Sequence, residues 1–492
     1  MRSFSNIPGA LVVWIASYVF FLFTLANNFS ASHDSIHYLL DILNGNELFH
    51  QHHLLYNFLA SKWRLLLPGL PPQYAIESFT AFWGSSAMAV IYSFFRNRFF
   101  LAPFAAAAGT AIIAFSYGVW FYSVNIEVYM PPLFFIVCCL YFITKKEMDI
   151  SDVRKIALLH CLAILFHQVN ILFAVVVIWA IIINRKNVKV FSALAQYCLI
   201  GIIVAGGMYF LAGWFFEGHS SVAQWMRWVE GYTVGHGYWQ PLSINTPVRV
   251  FTGFSHAFIG GHFVFQIPAV EHALQHSFRD HGLTDEIFLA SKISSAAVWA
   301  LCILTVFFVT IFISSVARLF KNYKAVIRHS ANIVAPMMLT IVVYSVFFCF
   351  WMPEILEFWI LQMVLVWMLL IGTAPLIRLP FNVPLRAGLV AVALTVFSIN
   401  FFGSLRWLQD INNDWYYRET CKIRNDVGAN DLVVVDNEWI LKDFIRYYTQ
   451  ARVLATDEPG YSRTKEDVLI KQFLFKKGRV YIYRDHHFTR SY

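Results

Sequence analysis

Residues 30–57 read SASHDSIHYLLDILNGNELFHQHHLLYN and set three carboxylates and five histidines beside an apolar stretch. Groups of these types move protons and hold phosphates. A carboxylate within hydrogen-bond reach takes the proton of an attacking hydroxyl, and imidazole nitrogens donate to phosphate oxygens. Asp34 is the candidate base, and His37, His52 and His53 are candidate substrate contacts. A second carboxylate, Glu127, is the lone charge in YSVNIEVYMPP (122–132), a short connection wedged between two apolar runs. An ionisable group at membrane depth is costly and marks a site. The plainer expectation is that Glu127 caps the helix that begins near Pro131 and Pro132, and that the histidines are solvated at headgroup level.

The elements that must position these residues follow from spacing. Asp34, His37, Tyr38 and Asp41 recur at i, i+3, i+4 and i+7, one face of a helix, with Ile36, Leu39, Leu40 and Leu43 on the other. Ser32 or Asp34 is the expected cap and Gly45 the stop. Such a helix lies flat at an interface, its apolar side in lipid or against a bundle.

The chain is 58% hydrophobic and 13% charged, against about 25% charged in soluble domains, so a membrane protein is expected. No basic patch with interleaved aromatics suits nucleic acid. Of the cysteines only Cys421 lies clearly outside an apolar run, so no disulfide framework is implied. The first apolar stretch lacks a small-residue cleavage site and reads as a retained helix.

Apolar runs of near-spanning length predict eleven spans, at about 8–27, 73–95, 99–123, 130–144, 156–168, 169–184, 190–215, 293–317, 332–352, 355–376 and 387–404. His167, Gln168 and Asn170 separate two half-length helices. One set of connections carries sixteen Lys and Arg, from Arg2 to Arg386, and the opposite short ones only Lys62 and Arg64. The bias puts the N-terminus in the cytoplasm. The opening stretch, a long loop over 216–292 and the tail then lie extracytoplasmic, with fourteen of seventeen histidines. In the tail, DLVVVDN, ARVLATD and RVYIYRD read as strands separated by helices over 438–449 and 464–478, a small α/β domain. Expected domains are 1–404 and 405–492. FSHAFIGGHFVFQI (254–267) reads as re-entrant or interfacial, and Glu354 and Glu357 read as solvated turn charges.

Asp34 in SHDSIHYLLDIL, Glu127 in NIEVYM, the EVY triplet and HHLLYN, in this order and on one side, resemble the GT-C class of membrane glycosyltransferases, its protein O-mannosyltransferase-like branch above all. The likeness covers residues 8–185, the span count and the tail. It implies an all-α polytopic bundle of about eleven transmembrane helices with a small extracytoplasmic α/β domain. It also implies transfer of a sugar from a polyprenyl-phosphate donor to a glycan, lipid or protein acceptor at the cell membrane, with Asp34 as general base. Glu127 would orient the acceptor or sugar hydroxyls. His52, His53 and Arg64, with Arg227 and His236 from the aromatic stretch 225–241, would hold the phosphate. The acidic partner expected beside the first Asp is absent, since His33 precedes Asp34 and Ser35 follows it. A divalent cation (Mg or Mn) held by Asp34, Glu127 and a histidine therefore ranks below a metal-free site. A transporter or flippase is the alternative, and it predicts ionisable residues within spans and inverted repeats. A scaffold predicts no convergence of Asp34 and Glu127.

Overall fold

The computed structural model describes residues 7–29, 32–231, 238–277, 283–377, 384–436, 438–458, 461–476, 478–484 and 487–490. Helices occupy every predicted apolar run: Ile7–Phe23, Pro72–Asn97, Pro103–Phe115 with Tyr117–Val124, Met130–Ile143, Ile150–Phe166, Gln168–Ile183, Val190–Phe216, Ser295–Lys321, Tyr323–Phe348, Leu356–Leu376 and Leu385–Leu408. Among the described residues five are single helices long and apolar enough to cross a membrane, six with the bent pair counted as one. Pro72–Asn97 has the length, but it buries Gln73, Glu77, Thr80 and Ser85 among its neighbours. Leu356–Leu376 is central, with 78% of its apolar window buried, whereas Ser295–Lys321 buries 17% and turns Trp299, Ile303, Val306, Phe307, Ile313 and Phe320 outward. An outward apolar face on that scale fits lipid as its solvent.

The bend that matters for function lies at Ser116. Its extended backbone (φ −65°, ψ 140°) breaks the helix and turns Tyr117–Val124 by 69°. A break inside a bundle frees backbone groups that need partners, and Asn400 supplies them. Its amide donates to the carbonyls of Phe115 (2.7 Å) and Phe258 (3.0 Å) and accepts from Gly260 N (2.8 Å). Trp120 packs beside the bend, its indole N–H donating to Thr24. The turned helix then delivers the 125–129 loop.

The segment 246–267 is not a span. It is a helix, Thr246–Phe258, followed by a short 3₁₀ turn, His262–Gln266, packed into the bundle where Asn400 holds it. A helix over Tyr56–Leu66, missed in the sequence, follows the histidine stretch.

The tail forms a four-stranded sheet. β1 (Leu432–Val435), β2 (Arg452–Ala455), β3 (Val480–Arg484) and β4 (His487–Arg490) lie in the order β2-β1-β3-β4. The first three are the predicted strands, parallel, with helices Leu441–Tyr448 and Arg463–Phe475 between them. β4 is an added antiparallel edge, too short and polar to read in advance. A further helix, Trp415–Arg424, links bundle to sheet.

Backbone stitching fixes the opening stretch against both ends of the chain. Ala26 N donates to Val124 O (3.0 Å) and Asn27 N to Leu408 O (2.8 Å). The wholly buried Asp414 carboxylate accepts from Phe29 N (2.8 Å) and Tyr417 N (2.9 Å). Asp414→Ala strands both N–H groups, and about 2 kcal/mol of stability should go with them. Thermal unfolding in detergent measures this.

Candidate active site

The predicted helix is His33–Asn44, and Gly45 stops it in the left-handed conformation (φ 72°). Its buried face is Ser35, Ile36, Leu39 and Ile42, so its apolar side meets the bundle. Ser32 stands at the cap position, but its hydroxyl is spent elsewhere. It donates to Glu127 Oε1 (2.6 Å) and lies 2.5 Å from Ser35 Oγ, and Ser35 donates to Ile126 O (3.0 Å). These bonds join the Asp34 helix to the Glu127 loop.

Glu127 is 2% exposed, and its Oε2 has no partner among the described residues. Burial first, then the charges of Glu357 and Asp34, push its carboxyl well above the usual range. Asp34 opens onto accessible space. Protein nevertheless crowds it closely enough that lost water is the largest influence on its carboxyl, raising it, while His33, His37 and a hydrogen bond from Tyr38 pull the other way.

Glu357 is the third acid, and the structure corrects its expected role. It is not a solvated turn charge. It accepts from Tyr129 Oη (2.5 Å) and Tyr122 Oη (3.0 Å) and interacts electrostatically with Asp34 and Glu127. Glu354 is also buried, 3.7 Å from the Arg249 guanidinium. A charge at the end of a helix reads as solvated until its partners are known, and these tyrosines lie more than two hundred residues away in sequence. A cavity of about 40 Å³ beside Glu357 is lined by Tyr129, His167, Asn170, Tyr344 and Phe358. It is large enough for a few waters in this closed arrangement.

His52 and His53 lie in the loop between the helices His33–Asn44 and Tyr56–Leu66. His52 Nδ1 is 3.0 Å from Gln168 Oε1, and Gln168 N donates to His52 O (2.8 Å). His53 stacks on His50 (4.2 Å) and meets Tyr38 edge-on (4.8 Å), with Nε2 lacking a partner among the described residues. Burial lowers His50 to about 3, His52 to about 4 and His53 well below its ordinary value. All three are neutral imidazoles at neutral pH, able to donate a hydrogen bond without adding charge. Tyr38 thus touches both the histidine loop and Asp34.

His37 reaches the tail, with Nδ1 3.3 Å from Asp443 Oδ2 and Nε2 3.5 Å from Asp41 Oδ2. The Asp443 hydrogen bond is the largest influence and lifts His37 to about 9. A folded value above the ordinary 6.5 means stability fully present below pH 6.5 and lost as pH rises through about 9. The thermal midpoint of wild type should exceed that of His37→Gln most below pH 6.5, with the gap closing above pH 9.

Arg64 ends the helix Tyr56–Leu66, and among the described residues no hydrogen bond or ion pair joins it to Asp34 or Glu127. Arg227 is exposed on Val222–Glu230, donating to its own helix at Ala223 O. That helix still closes on the histidine loop, since Gln168 Nε2 donates to Val229 O. His236 lies outside the described residues. For a cation, Asp34 and Glu127 do not share a close ligand set with a histidine among the described residues. One set that does is His37, Asp41 and Glu47, with ligand atoms within 4.8 Å of one another. It sits at the surface, where such groups gather without an ion.

The bundle, its bent third element, the flat helix after the first span and the appended sheet together are the GT-C fold. The crystal structure of ArnT from Cupriavidus metallidurans bound to undecaprenyl phosphate matches it with TM-score 0.55 at 11% identity, over 97% of this chain and 94% of that one. The apo form matches with TM-score 0.56 at 12% identity, over 98% and 94%. The S. cerevisiae protein O-mannosyltransferase Pmt1-Pmt2 complex bound to the sugar donor is similar over 44% of this chain and 34% of that one, with TM-score 0.37 and 15% identity. Residues 67–190 match the family described as the protein O-mannosyl-transferase TMEM260 N-terminal domain, a stretch that holds Glu127 and not Asp34. No curated protein sequence matches the chain.

Proposed function

We propose that this chain is an integral-membrane glycosyltransferase that moves a sugar from a polyprenyl-phosphate donor to an acceptor hydroxyl. The observation that carries the reading is the hydrogen-bonded seam that sets Glu127 beside the helix of Asp34, with Glu357 within electrostatic reach of both. The arrangement separates their roles. Glu127, buried and raised, keeps its proton and offers a hydrogen bond from its unpartnered oxygen. Asp34, accessible and flanked by histidines, is the carboxylate that ionises. Two carboxyls in unlike environments make an acid and a base of one residue type.

In the reaction, Asp34 takes the acceptor O–H proton as that oxygen attacks C1 of the sugar. The C1–oxygen bond to phosphate breaks, and polyprenyl phosphate departs with the bonding pair. The charge of Asp34 stabilises positive charge developing at C1. The neutral imidazole of His53, with a free Nε2, donates to the departing phosphate. His52, Arg64, Arg227 and His236 belong to the wider donor path in this reading. The undecaprenyl phosphate bound to ArnT supports a carrier of this class. Basic connections gather at the end opposite the site, where Arg98 bonds Tyr141 O and Lys145 pairs with Asp152. This distribution supports an extracytoplasmic site and a cytoplasmic N-terminus.

The test is purified protein in lipid nanodiscs supplied with a panel of radiolabelled polyprenyl-phosphate hexoses and pentoses. Release of polyprenyl phosphate from at least one donor is expected. No release from any donor, with or without added acceptors, contradicts the reading.

A further inference from the structure

Asp34 is flanked along its helix by His33 and His37, and each histidine is gripped by a carboxylate from a distant part of the chain. His33 Nε2 lies 2.9 Å from Oδ2 of Asp285, which is 1% exposed on the helix Thr284–Ala290 of the long loop. His37 Nδ1 lies 3.3 Å from Asp443 Oδ2, on the helix Leu441–Tyr448 of the tail. The two grips come from opposite sides and from segments 252 and 406 residues away.

We propose that Asp285 and Asp443 are positioning residues that hold His33 and His37 as cations on either side of Asp34, keeping the base ionised in its crowded surroundings. The inference rests on the reading of Asp34 as the base. It also gives the tail and the long loop a share in the site, since each supplies one half of the clamp.

The groups around the clamp are compatible with it. Asp34 is faced by His33, His37 and Tyr38 from its own helix and by Glu127 and Glu357 from the bundle. Lost water is the largest influence against its charge, so ionisation depends on the cations. Burial alone would discharge His33, but Asp285, by charge and hydrogen bond, with Asp34 and Asp414, raises it above its ordinary value. Tyr416 and Trp439 meet its ring edge-on and fix its plane. His37 is faced by Asp41 as well as Asp443, and Asp443 is itself steadied by Arg446 at 3.2 Å. Asp285 is bonded by the neighbouring Glu286 carboxyl as well as by His33, and a protonated His33 in contact offsets the cost of burying its charge.

The experiment reads the charge of Asp34 without any donor. Infrared spectroscopy of the full chain in nanodiscs follows the protonated carboxyl of Asp34 with pH, isolated as the difference between each protein and its Asp34→Asn counterpart. Asp285→Asn and Asp443→Asn should each move the midpoint up by about one pH unit, the double variant further, and Asp285→Glu should restore it. If Asp285→Asn does not fold, Asp443→Asn decides alone. A midpoint unmoved in a folded variant overturns the clamp, even where turnover falls, because a merely structural role would do that. Wild type that transfers no sugar while the midpoint moves would instead sink the functional reading and leave the clamp standing.

Discussion

Asp34→Asn is expected to lower turnover by about 10²–10⁴-fold, the usual contribution of a positioned base. The amide keeps the size of the side chain and can still accept from Tyr38, so folding and donor affinity should change little. The loss belongs in kcat, because the interaction removed is made in the transition state. Single-turnover release of polyprenyl phosphate, compared at saturating donor, separates that outcome from a binding defect. The pH profile gives a second mark. Burial raises the Asp34 carboxyl, so activity in wild type should fall on the acid side at a pH above the ordinary aspartate range, and the residual activity of the variant should lose that limb.

The second large effect is structural. Asn400→Leu replaces a buried amide that satisfies Phe115 O, Phe258 O and Gly260 N. Leaving three backbone groups unpaired in an apolar interior should cost about 3–5 kcal/mol. The consequence reaches the site, because the bend held by Asn400 aims the 125–129 loop. A lower unfolding temperature in detergent is therefore expected together with lost turnover. A variant as stable as wild type would show that the bend holds itself.

What the sequence made legible was whatever is written locally. Each apolar run became a helix, and the 2-residue and 3.6-residue patterns of the tail became its strands and helices. Asp34 and Glu127 stood out because a carboxylate next to a span is costly wherever it occurs. What stayed hidden was pairing across the chain. Glu357 looked solvated because nothing near it in sequence announces Tyr122 and Tyr129. Asp285 and Asp443 looked ordinary because the histidines they grip lie hundreds of residues earlier. Arg64 was attractive for its nearness in sequence to the histidines, and it lies in the last turn of a helix that sequence reading missed, Tyr56–Leu66. β4 failed to register because its alternation spans four residues, HFTR, with charge at the end.

The same logic applies to Asp34 and Glu127, the proposed base and its partner, which lie far apart in the chain. Ser32 and Ser35 on one segment and Ile126 and Glu127 on the other form a small hydrogen-bonded seam. The seam joins the two segments, which would give the proposed acid and base a defined relation before any substrate arrives.

A double-mutant cycle on turnover tests the central claim most directly. Residues that act as one unit lose activity non-additively. If Asp34 and Glu127 serve one reacting centre, the Asp34→Asn, Glu127→Gln double variant should turn over about as slowly as Asp34→Asn alone. Losses that multiply would show that the two carboxylates do not act on one reacting centre and would contradict the account.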